Sequence, residues 1–149
     1  MRVLMDLSRL FLAARANRVV LNYAEILPRL AAPFPGPATT PLFYGFTTSD
    51  PKNDRQTRFL LALTALGVQV HSQPYSPAPN FSIELALLAN TAGGGVTLVS
   101  DDPELVRLVP WLQGPIRIAW MTASLPVGWT PHILSGRVEF LDLASITRQ

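Results

Sequence analysis

Short apolar runs of strand length alternate along this chain with stretches whose apolar positions recur at helical spacing. That is the pattern of a parallel β-sheet covered by helices on both faces. Arg2 to Asp6 reads as the first strand, and a short helix is predicted over Ser8 to Ala16. "NYAEILPRLA" opens with Asn22 as a cap and Glu25 three positions on, a capping-box spacing, while Pro28 is placed to kink that helix or delay its start. "PFPGPATTP", residues 33–41, has four prolines and one glycine and reads as a loop to a second strand, Leu42 to Phe46. "DRQTRFLLALTALG" sets Phe59, Leu60, Leu63 and Leu66 at helical spacing and stops at Gly67. A third strand covers 68–73, "SPAPN" breaks the chain, and "FSIELALLANTA" makes the next helix. Val96 to Val99 reads as a buried strand, followed by a helix from about Pro103 to Leu112 and a strand in "IRIAWM". The tail "HILSGRVEFLDL" predicts a short helix and a last strand.

These elements place the chain in the α/β class, as one domain over residues 1–149. Of those 149 residues 48% are apolar, enough for a core, and only 15% are charged, which excludes a disordered tail or a solvated coil. Gly93, Gly94 and Gly95 precede a strand instead of joining a strand to a helix, so they read as a plain connection and not as a phosphate-binding loop.

Charge adds little: the net value is +2 with a sequence pI of about 9.5, which permits an anionic partner without requiring one. Eleven of the twelve basic residues are arginine, the side chain whose planar fork suits phosphate, although genome composition produces the same bias. Cysteine is absent, so disulfides, zinc-thiolate sites and thiol nucleophiles are excluded. The chain opens directly on a strand pattern, and no segment has 18 uninterrupted apolar residues. The expectation is a soluble cytoplasmic protein with no membrane partner, and its high apolar content suggests a homodimer.

Candidate chemistry lies at the strand ends. Asp6 closes the first strand, and Asp101, Asp102 and Glu104 follow the strand in "VTLVSDDPEL". Ligands of an open parallel sheet bind at the carboxyl ends of its strands. If these two strands are neighbours the acids converge, and Glu84, near the start of a helix, opens on the same edge. Clustered carboxylates repel one another and draw in a cation, and hard oxygen donors select magnesium or manganese, ions that activate water for phosphodiester cleavage. The same residues also fit a purely structural role: Asp6 and Asp101 or Asp102 as helix caps, Glu84 as a surface acid.

The succession "VLMDLSR", "PLFYGF", "RQTRFLLALTALGVQV", "FSIELALLAN", "VTLVSDDPELVRLV" and "VEFLDL" resembles the NYN domain, the LabA-like branch of the PIN-like nucleases, from Arg2 to Leu143. The resemblance implies a three-layer Rossmann-like fold and a metal-dependent endoribonuclease. In the family's D-x-x-N pattern Asp6 takes the place of the aspartate; in K-x-V-D, Glu84 takes that of the acid; in S-G-D-S-D-F, Ser100, Asp102 and Glu104 take those of the serine and the two acids. By that resemblance Asp6, Glu84, Asp102 and Glu104 hold one or two Mg2+ or Mn2+ ions as ligands and catalytic groups, and Ser100 orients a carboxylate or the substrate.

The departures are as informative. Arg9 stands where the family has asparagine, Phe81 replaces the lysine, Glu84 and Glu104 replace aspartates, and Asp101 replaces the glycine. A guanidinium among the acids can take over the charge role of the cation, or point outward and bind a substrate phosphate. Two functions follow: an endoribonuclease acting on RNA through Mg2+ or Mn2+, or an inactive descendant that binds RNA or protein. Retained ion binding favours the first; a salt bridge from Arg9 to Asp6 or Asp102 favours the second. His71 and His132 have no local partner pattern. Trp111, Trp120 and Trp129 read as core residues, with Trp129 also placed for a contact surface, and Tyr44 and Phe46 either pack in the strand or stack on a base.

Overall fold

The computed structural model describes residues 1–147 as a six-stranded sheet between layers of helices. The strands are β1 (Arg2–Asp6), β2 (Leu42–Ser49), β3 (Val68–Pro74), β4 (Val96–Val99), β5 (Ile116–Trp120) and β6 (Val138–Asp142). Their order is β3-β2-β1-β4-β5-β6 and every pair is parallel, the arrangement of a three-layer Rossmann-like α/β fold.

The helices are α1 (Leu7–Ala16), α2 (Tyr23–Leu30), α3 (Asp54–Ala65), α4 (Ser82–Asn90), α5 (Thr130–Leu134) and α6 (Leu143–Thr147). Alternation along each strand divides the core between the two faces. Val3 and Met5 of β1 pack with Leu10 of α1, Ile26 and Leu30 of α2, Leu63 of α3 and Leu143 of α6. Leu4, on the opposite face, packs with Phe81, Leu85 and Ala89 around α4 and with Leu105 and Trp129. Every residue of β4 and β5 is buried, as expected of central strands covered on both sides.

β5 carries Arg117 into that interior, where it is 2% exposed. Its guanidinium donates to the carbonyls of Leu30 (2.9 Å) and Ala32 (3.0 Å), to Thr97 Oγ1 (3.2 Å) and to Glu139 Oε2 (3.1 Å from Nε), and lies over the Phe34 ring at 4.4 Å. One side chain thus ties the end of α2 and the following loop to three neighbouring strands.

Several local expectations change. Asn22 sits at the cap position of α2 without a side-chain cap bond, so the capping box is not formed, and Pro28 lies inside the last turn. The predicted helix from Pro103 to Leu112 is a 3-10 helix over Pro103–Leu108, which begins at one proline and ends shortly before another, Pro110. α6 was not anticipated. Trp120 and Trp129 are fully buried, so Trp129 presents no contact surface, whereas Trp111, expected in the core, is 74% exposed.

The glycine triplet is a constrained turn, not a plain flexible connection. Gly94 and Gly95 have φ of +88° and +105°, the left-handed region, and a Cβ on Gly95 would lie 2.7 Å from Phe34 Cδ2 and 2.9 Å from Pro115 Cγ. Gly95→Ala is therefore expected to destabilise the fold by about 2 kcal/mol through backbone strain and crowding. Urea denaturation followed by tryptophan fluorescence checks it, and an unchanged midpoint would remove the claim. Among the described residues no helix is long and apolar enough to cross a membrane.

Candidate functional site

Strand order reverses between β1 and β4: the sheet grows from β1 through β2 to β3 on one side and through β4 and β5 to β6 on the other, and the carboxyl ends of the neighbours β1 and β4 bring the two acidic segments together. Asp6 is the last residue of β1 and lies 2% exposed. Ser100 and Asp102, immediately beyond β4, are also buried, and Asp101 between them is half-buried. The neighbouring end of β2 contributes buried Thr47 and Thr48, linked to α1 by Ser8, whose hydroxyl lies 3.3 Å from Thr47 Oγ1 and accepts from the Thr48 N–H at 3.3 Å.

The centre of this edge is an arginine. Arg9, one turn into α1, donates from Nη1 to Asp101 Oδ1 at 2.9 Å and places Nε 3.6 Å from Asp6 Oδ2. Its backbone N–H donates to Asp6 Oδ1 at 3.1 Å, so Asp6 also caps α1. Burial pushes the Asp6 carboxyl up to about pKa 6, against the opposing pull of the Arg9 N–H and guanidinium, and the charges of Asp101 and Asp102 push the same way as burial. Burial works against the charge on Arg9, but the Asp101 hydrogen bond and the surrounding carboxylates outweigh it and raise its pKa further.

Asp102 is committed elsewhere. Its Oδ1 accepts from the Glu104 N–H at 3.0 Å, capping the 3-10 helix, and its Oδ2 accepts from the Ser82 hydroxyl at the start of α4. Ser100 holds the turn by accepting from the Asp102 N–H at 3.1 Å. Glu104 is exposed and lies 3.4 Å from Arg107 on the 3-10 helix. Glu84, on the first turn of α4, is half-buried.

Of the acids and their partners expected at the strand ends, Asp6, Arg9, Ser100, Asp101 and Asp102 lie at this edge, and Glu104 is exposed. Among the described residues, no three His, Asp or Glu side chains are grouped so as to hold a metal ion. Within the expected four-acid set for Mg2+ or Mn2+, Asp6 Oδ1 and Asp102 Oδ1 cap helices, Asp102 Oδ2 accepts from Ser82, and the Arg9 Nε lies 3.6 Å from Asp6 Oδ2. The expected salt bridge forms from Arg9 to Asp6, while its second carboxylate is Asp101 and not Asp102. Ser82 had no signal of its own, and Asp101, one of the acids at the end of the strand, had none that paired it with Arg9. Asp101 stands 92 residues from Arg9, and only the adjacency of β1 and β4 brings them into contact.

Comparison with family models, with curated proteins and with solved structures finds no match to this chain.

Proposed function

We propose that this chain is a PIN-like domain that binds single-stranded RNA along the carboxyl edge of its sheet without cutting it, Arg9 standing among the acids in place of a divalent cation. The observation that carries the reading is the double pairing of the Arg9 guanidinium with Asp6 and Asp101. A fixed positive charge at that point removes the electrostatic demand that acids alone would make for a metal. Arg9 keeps donors beyond those two contacts and remains about one-third exposed, so it is positioned for a phosphate oxygen. Exposed Lys52, Arg55 and Arg58, which follow the carboxyl end of β2, extend the cationic path.

The endoribonuclease reading remains the second one, and a single feature favours it: Asp6 is a buried carboxylate with a raised pKa, a costly arrangement that is common at catalytic sites. One experiment separates the two. Labelled single-stranded and structured RNA are incubated with Mg2+, Mn2+ or chelator, and Asp102→Asn is purified in parallel. The expected result is bound, intact RNA under every condition. Arg9→Gln is expected to weaken binding and to lower the slope of log K against log salt by about one. Metal-dependent cutting that disappears in Asp102→Asn would replace this proposal with the nuclease.

A further inference from the structure

We infer that the open flank of the sheet formed by β2 and β3 is a stacking platform for unpaired bases, with His71 as its outermost ring. The inference rests on the RNA-binding reading and specifies where on the fold the bases lie.

Parallel sheets are ordinarily covered on both faces. Here α4 packs on the face that carries Leu4 and Phe46, but on the edge strand β3 the residues that alternate onto that same face, Gln69, His71 and Gln73, are all exposed. The chemistry of this flank selects among occupants. A helix or a second copy of the chain docks by burying aliphatic surface, whereas this strip offers two amides, an imidazole and the half-buried Tyr44 phenol. Planar groups that stack and also form hydrogen bonds suit it, and nucleobases have both properties.

Ring geometry supports the same occupant. The His71 imidazole lies against Phe46 with centroids 5.0 Å apart and planes inclined by 14°, and against Tyr44 at 6.2 Å and 19°. Phe46 is itself buried and packs on Phe81 at 5.9 Å, so the core holds the imidazole flat while the side chain stays exposed to solvent. Register continues the row: Asp6 pairs with Phe46, and Phe46 with His71. His71 therefore stands two strand spacings, about 10 Å, from the Asp6–Arg9 pair. Arg9 supplies a cation at the carboxyl edge of the row, whereas Arg2, at the amino end of β1, donates to the Leu88 carbonyl and to Thr91 and holds its guanidinium 5.9 Å from the Tyr44 ring centroid. A single strand crossing the carboxyl edge meets Arg9 as a phosphate donor at one end of the row and the His71 ring at the other.

The chain has two histidines, so their imidazole signals report separately. A 13C-edited proton spectrum is recorded while a short oligoadenylate, or the same strand with abasic sugars, is titrated into the full chain. Ring-current shifts are expected at His71 and not at His132, and only with the base-bearing strand. His71→Ala is expected to weaken oligoadenylate binding about tenfold with an unchanged salt slope, because a stacked base and no phosphate contact is lost, while His71→Phe retains affinity. Wild-type affinity in His71→Ala, or equal His71 shifts with the abasic strand, would overturn the platform and leave the RNA reading standing. Absence of any oligoadenylate or other RNA binding by the wild-type chain would overturn both.

Discussion

Arg117→Met is expected to destabilise the protein by about 2–4 kcal/mol, a large part of the stability of a domain of this size. Methionine retains a long apolar stem but donates nothing, so among the described residues the Ala32 carbonyl is left without its side-chain donor and the Leu30 carbonyl keeps Thr97 Oγ1. The cation over Phe34 is also lost. Glu139 adds little to the cost because it is exposed and regains water. Arg117→Lys should recover less than half, since one ammonium cannot span two carbonyls and a carboxylate as a planar fork does. Urea unfolding monitored through the buried Trp120 and Trp129 measures both variants. A methionine variant within 0.5 kcal/mol, about the noise of such a comparison, would show that the polar network is dispensable.

Asp6→Asn is expected to stabilise the fold above neutral pH by up to about 3 kcal/mol, because burial pushes the native carboxyl up to about 6 from the ordinary aspartate value of 3.8, a difference in proton affinity of that size. A carboxyl raised on folding binds its proton more tightly in the native state. Its contribution is complete below the unfolded value of 3.8 and is lost as pH rises through about 6. The wild-type chain should therefore gain stability between pH 7.5 and 5, and the asparagine variant should lose most of that dependence. Asparagine keeps an oxygen for the Arg9 N–H, so the α1 cap survives, and Arg9 retains Asp101. Thermal melts across this pH range decide it. A less stable variant at pH 7.5 would mean that the Asp6–Arg9 pair outweighs the burial of the carboxylate. A gain would mark Asp6 as a residue kept at a cost in stability, as functional carboxylates often are.

Much of the architecture was legible because strand and helix periodicities are local. β1 and β4 begin and end at the residues that the apolar runs of Arg2 to Asp6 and Val96 to Val99 indicate. β2 runs past Phe46 to Ser49 because the polar Thr47, Thr48 and Ser49 find ladder partners in Ser72, Gln73 and Pro74, which apolar patterning does not register. Arg117 lies within an otherwise apolar strand run, and an arginine there was a readable sign of a buried network even though its acceptors were not. His71 looked isolated since its stacking partners, Tyr44 and Phe46, lie on another strand.

From its sequence alone this chain is an α/β protein that ends two apolar strands on carboxylates, since side-chain periodicity and turn chemistry act over a few residues at a time. Tertiary structure alone decided that β1 lies beside β4, that Arg9 reaches Asp101, that Asp102 accepts from Ser82 and that Glu104 faces outward. Strand order and the course of a single side chain depend on the packing of the whole core, and distances between residues far apart in the chain have no local signature.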